Sequence, residues 1–284
     1  MQRLGLVLFL LFLAGGSRPA AASELALQDG ERLSFRVAWG LFLHAGDITI
    51  SARTEVEDGV PYTVVSTRTS TRGLLSKLFR FEGEAEAIFD QRTGQLRLYR
   101  ESSVSKRKKT HTAVEIDPAS GTAKYTDFIN PERNATVTMP GECAADLIMT
   151  LVQTRNWNLA PGQKRDADVI FGRDIYELTV HALRTEPLRT SLGNFHTVVL
   201  EPRMEKTPPK GMFKRGSQVH VWIAQNDERR LPVMFEVEFS FGAGVATLTE
   251  YRPPGSPAEP VAGEPAKSGS LLDIARPLPL ATIE

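Results

Sequence analysis

The sequence holds a single cysteine, Cys143, in 284 residues. That excludes an internal disulfide, so stability has to come from an apolar core. It also excludes a lipid-anchored N-terminus, which needs a cysteine at the cleavage site. Cys143 itself reads as a small buried apolar residue, because no partner base lies near it in sequence. Past the first residues, no apolar run approaches the ~20 residues of a membrane-spanning helix. Excess charge of one sign is also missing: 34 basic side chains balance 34 acidic ones, and nothing in that balance points to nucleic acid. The five histidines, His44, His111, His181, His196 and His220, show no metal spacing, and no His-Glu-x-x-His occurs. There is no Gly-x-Ser-x-Gly elbow, Walker loop or dinucleotide turn. The sequence therefore names no cofactor, no metal and no catalytic residue.

What is present begins with a targeting pattern. Arg3 gives a positive start, Leu4 to Leu13 is a short apolar run, and Ala20-Ala21-Ala22 offers small residues for cleavage. Residues 1–22 read as a signal peptide, which predicts an exported, periplasmic protein that is not a lipoprotein. The mature chain then carries 32 basic and 34 acidic side chains. Residues 23–252 read as one β-rich domain, and residues 253–284 as a Pro-rich disordered tail.

The domain is written in period-two alternation, the pattern of half-buried strands. Leu33, Phe35, Val37 and Trp39 share one face of Glu31 to Trp39, and Gly40 to Gly46 reads as a connection. Asp58-Gly59 between the runs Asp47 to Val56 and Tyr62 to Thr69 is a hairpin signal. Three strands joined by short turns, from Ser217 to Tyr251, make a meander in which Phe235, Val237, Phe239 and Phe241 share one face. Two stretches break the alternation. Leu74, Leu75, Leu78 and Phe79 fall at helical spacing, which predicts a helical turn or two, either packed on the core or covering an open end of the sheet. Ala144 to Asn156 predicts one amphipathic helix through Ala144, Leu147, Ile148, Leu151 and Val152. It should pack on a sheet or fill the mouth of a curled one.

Two charged groups stand out. Glu82, Glu84 and Glu86 share one face of a strand; such a row suits a hard cation or acid–base chemistry, and equally a solvated face or a blunted edge. Lys106, Arg107, Lys108 and Lys109 crowd a hairpin tip, where they suit anionic head groups or simple solubility. In the tail, Leu271-Leu272-Asp273-Ile274 is either a docking motif or a frayed end.

In order along the chain, several pieces resemble a family of exported bacterial proteins catalogued as domain of unknown function 3108. They are Gly30-Glu31-Arg32-Leu33-Ser34-Phe35 with Trp39-Gly40 and Ala45-Gly46, Ser70, Asp146 with the helix ending near Arg155, and Pro161-Gly162. Gly193-Asn194-Phe195, Val221-Trp222-Ile223, Asp227, Arg229-Arg230-Leu231-Pro232-Val233 and Gly242 follow. The resemblance spans roughly four-fifths of the chain, from about Gly30 to Tyr251. It implies an all-β, mainly antiparallel fold, a curled sheet, spiral roll or open barrel, and it carries no catalytic residue. The Pro-rich tail falls outside it.

Three functions fit this reading. The first is a binding or carrier protein for a hydrophobic envelope ligand, a lipid or lipid-linked glycan. Trp39, Phe81 and Trp222 would contact its apolar part, and Lys106, Arg107, Lys108 and Lys109 its head group. The second is an assembly partner of another envelope protein, through a strand edge or the tail. The third is a hydrolase using the Glu82-Glu84-Glu86 face or Asp227.

Overall fold

The computed structural model describes residues 25–106, 108–139, 144–209, 213, 217–239, 242–256, 270–276 and 278. The segment read as a signal peptide, Arg107 and Cys143 lie outside them. Asp58 and Gly59 both take positive φ, 50° and 74°, as a two-residue type I′ turn requires. They join β2 (Phe42–Glu57) to β3 (Val60–Thr71). The segment expected as a connection after β1 (Arg32–Trp39) is instead a second tight hairpin: Trp39 pairs with Phe42, leaving Gly40 and Leu41 at the turn.

The first half continues through α1 (Gly73–Leu78), β4 (Phe81–Asp90), β5 (Leu96–Ser105), β6 (Lys109–Asp117), β7 (Thr122–Asp127) and β8 (Ala135–Thr138). The second half runs through β9 (Ala144–Asp146), α2 (Leu147–Gln153), β10 (Lys164–Phe171), β11 (Asp174–Thr190), β12 (Gly193–Arg203), β13 (Gln218–Ala224), β14 (Pro232–Phe239) and β15 (Gly242–Arg252). The last three strands form the expected meander.

Among the described residues these strands make one 15-stranded sheet, in the order β8 to β1 and then β15 to β9. Neighbours are antiparallel, apart from the parallel pair β9–β10. The chain starts in the middle of the sheet, works out to one edge, crosses to the other and returns. Laid flat, fifteen strands would span about 65 Å. Yet the edge residues Thr138 and Ala144 are only six positions apart, a reach of about 20 Å. The sheet must therefore curl, and it does so without closing into a barrel.

The curl is filled. Leu33, Phe35, Ile50, Val65 and Phe89 of the first half share a core with Val199, Val233 and Leu248 of the second and with Met149 and Val152 of α2. Phe35 and Phe235 meet edge to face, centroids 5.2 Å apart. A second cluster sets Leu147 and Leu151 against Val180, Val198 and Val221. Buried residues therefore occupy several sides of α2, as an enclosed helix requires. This helix is shorter than the sequence suggests. Residues 144–146 are strand, and Asp146 caps the helix by accepting from the backbone N–H groups of Ile148 and Met149 at 2.9 and 3.1 Å.

Part of the tail departs from expectation. Leu271 lies in an apolar cluster with Tyr62, Val64, Ile88, Leu98 and Ala113, and Leu272 and Ile274 pack against it. Docking on this chain's own sheet, rather than fraying, is what residues 270–276 do.

Candidate functional site

Strand direction divides the sheet into two ends. One end carries the Gly40-Leu41 turn, α1 and the β5–β6 turn. Leu41 is 97% and Leu43 83% exposed, and Leu74, Leu78 and Phe79 are each more than half exposed. Helix α1 has no buried residue, so it neither packs on the core nor acts as a plug. Its place is fixed by polar contacts. The Arg72 N–H donates to the Ala45 carbonyl at 2.8 Å, and Asp47 is held by His44 at 2.7 Å and by Arg72 Nε at 2.9 Å. Burial would raise the Asp47 carboxyl, but these two partners outweigh it and hold it below its usual range. Gly46 is required here, because a side chain at that position would collide with the Ser70 carbonyl oxygen.

Lys106 joins the β5–β6 turn to the helix: its Nζ donates to the Lys77 carbonyl at 2.7 Å and the Leu78 carbonyl at 3.3 Å. A cation here satisfies carbonyls that the end of α1 leaves open. Lys77, Lys108 and Lys109 point into solvent beside it. Trp39 and Phe81, both half-buried, stand at this same end. The Phe81 N–H bonds Thr71 Oγ1 at 2.9 Å, and Gly83 leaves room for the Phe81 ring.

Of the residues that the sequence nominates, Trp39, Phe81, Lys106, Lys108 and Lys109 thus gather at one end, and Arg107 lies outside the described residues. Trp222 does not join them. It is buried in the core, and its Nε1 donates to Glu186 at 2.7 Å. Sequence reasoning missed Leu41, Leu43 and Lys77. The apolar run Leu41-Phe42-Leu43 after a strand ending in Trp39 was the available signal.

The other end is tied together by hydrogen bonds. Arg155 Nη1 bonds Glu31 at 2.7 Å, with both side chains buried, and Tyr251 adds its hydroxyl at 3.1 Å. Arg155 Nε reaches the Arg229 carbonyl at 3.0 Å, and Arg230 Nε the Arg155 carbonyl at 2.6 Å. Asp227 accepts from the Arg229 backbone at 2.9 Å, the geometry of a turn. Clefts of about 580, 510 and 660 Å³ surround Leu25 at this end. Neither Glu84 nor Glu86 lines them. Those two carboxylates are buried among arginines: Glu86 between Arg53 at 2.9 Å and Arg100 at 2.6 Å, Glu84 against Arg68 at 3.0 Å. Burial pushes Glu86 up, but its two arginines bring it below the usual range. The face is an ion-paired array rather than a solvated one.

The architecture, an open antiparallel roll plugged by one helix, defines a class of barrel-like proteins. Within it the chain belongs to the family described as Protein of unknown function (DUF3108), whose model matches residues 34–249. No curated protein matches it. Its fold is similar to that of a β-barrel-like protein of domain of unknown function DUF1849 from Brucella abortus. The TM-score is 0.51 at 7% identity, over 79% of this chain and 98% of that one. Two further structures align less well. One is a putative exported protein with a YmcC-like fold from Bacteroides fragilis, at 11% identity and TM-score 0.32, over 82% of this chain and 100% of that one. The other is a hypothetical protein from Chlamydia trachomatis, at 10% identity and TM-score 0.34, over 84% and 95%.

Proposed function

We propose that this is an exported protein of the cell envelope that docks on anionic lipid through its Leu41 end. The observation that carries the reading is one of place. Leu41, Leu43, Leu74, Leu78 and Phe79 stand exposed together, and Lys77, Lys106, Lys108 and Lys109 stand beside them. Contiguous exposed apolar side chains with a basic rim are the chemistry of a lipid interface: acyl chains take the leucines and phosphates take the lysines. Half-buried Trp39 and Phe81 supply aromatic rings near head-group level. Export and a periplasmic location rest on the pattern of residues 1–22. The reading differs from a carrier that swallows its lipid, because α2 and the side chains packed on it fill the curl.

Flotation of residues 23–284 with vesicles tests it. Binding to vesicles containing phosphatidylglycerol, weak binding to phosphatidylcholine alone, and loss of both on Leu41→Ser with Leu43→Ser are the expected results. Binding that ignores both lipid charge and the leucines would sink the proposal.

A further inference from the structure

The C-terminal segment 270–276 lies on the outer face of β3 to β6. Leu271 is 5% exposed, set among Tyr62, Val64, Ile88, Leu98 and Ala113, with Leu272 and Ile274 packed alongside. Its backbone is held at two points. The Leu271 N–H donates to Glu57 Oε1 at 2.7 Å, and Arg100 Nη1 donates to the Asp273 carbonyl at 2.7 Å. Arg100 is 1% exposed, and its Nη2 bonds Glu86 at 2.6 Å. The groove therefore combines an apolar stripe with a guanidinium braced to meet a backbone carbonyl. Both contacts are made by the segment itself, and none depends on how it is tethered.

The tether is long for its task. Gly255 is anchored to Asp29 at 2.8 Å, Asp29 also receives the Thr54 N–H, and Leu271 is anchored to Glu57. Thr54 and Glu57 lie on one strand, about 10 Å apart. Residues 257–269 intervene, with prolines at 257, 260 and 265. Thirteen residues can reach about 45 Å.

We propose that this groove is a docking site for residues 270–276 of a second copy of the chain, so that neighbouring molecules link by exchanging tails. The contacts are the same within one molecule or between two, so exchange is decided by concentration. A tether of this length holds its own tail at an effective concentration on the order of millimolar. A dilute sample is therefore monomeric, and crowding favours links.

The test separates groove from tail. An acceptor, the full chain with Leu271→Asp and Ile274→Asp, has an empty groove. A donor, the full chain with Arg100→Leu, has an unseated tail. The expected result is that each alone sediments as a monomer and that the mixture gives a 1:1 heterodimer at tens of micromolar. If the donor misfolds, a fluorescent peptide of residues 268–284 replaces it. That peptide should bind the acceptor at least tenfold more tightly than the natural chain, whose own tail competes. No heterodimer from folded partners overturns the proposal. So does a peptide that binds neither protein, or both equally.

Discussion

The two ends of the curled sheet solve opposite problems with the same alternating strands. At the Arg155 end, Glu31, Arg155, Tyr251 and Arg230 come from separate parts of the chain and satisfy one another, with Glu31 and Arg155 buried. At the Leu41 end, polar contacts are shorter in span: His44 with Asp47 and Ser105 with Lys108 within a turn, Lys106 with the last carbonyls of α1 across 29 residues. Its large apolar side chains face solvent. The first end ties the two halves together; the second is built to stand open. Groups that hold the fold and groups available to meet another surface have been separated by the length of a strand.

The comparison breaks most visibly at the buried pair. Arg155→Ala strands Glu31 without its cation and should cost about 3–5 kcal/mol in chemical denaturation. At the opposite end, Leu41→Ser should move stability by no more than about 0.5 kcal/mol. Equal losses would mean that both ends hold the fold.

The next largest effect belongs to lipid binding. Two leucines leaving water contribute about 3 kcal/mol together. Leu41→Ser with Leu43→Ser should thus weaken vesicle partitioning about 100-fold, with the melting temperature unchanged. Lys108→Glu and Lys109→Glu should each remove at least about 1 kcal/mol from binding to anionic vesicles. That loss should shrink as salt rises, which titration between low and moderate ionic strength would reveal. Smallest is Asp227→Ala, which should lower stability by about 1 kcal/mol through its turn hydrogen bonds and leave vesicle binding untouched. A vesicle-binding defect there would move the functional surface to the Arg155 end.

Much of this was legible in the sequence. Alternation located nearly all the strands, and Asp58-Gly59 fixed its hairpin, because a two-residue turn with positive φ leaves few residue choices. Ordered pieces such as Gly30-Glu31, the helix end at Arg155 and Arg229-Arg230 resembled a family pattern, and in space they converge on one hydrogen-bonded cluster. Three things were not legible. Period-two patterning says which residues share a face but not which strands pair, so nothing marked β8 and β9 as the two edges. Trp222 alternates as well as Trp39 does, and only the residues that bury it in the folded chain separate the two. Arg100 reads as an ordinary exposed strand residue, because the segment that buries it lies far away, at Asp273.

The position of the first strand has a consequence for when this protein can fold. β1 pairs with β15, and the Ser34 carbonyl accepts from the hydroxyl of Thr249, 215 residues later. The middle of the sheet is the last part to be completed. A chain emerging N-terminus first can build β1 to β8 as a meander, but one flank of β1 stays unpaired until the final strand arrives. Contacts of such span form slowly, because loop closure precedes their reward. During synthesis the chain is thus kept from locking early, and the sheet is completed only once all of it has arrived.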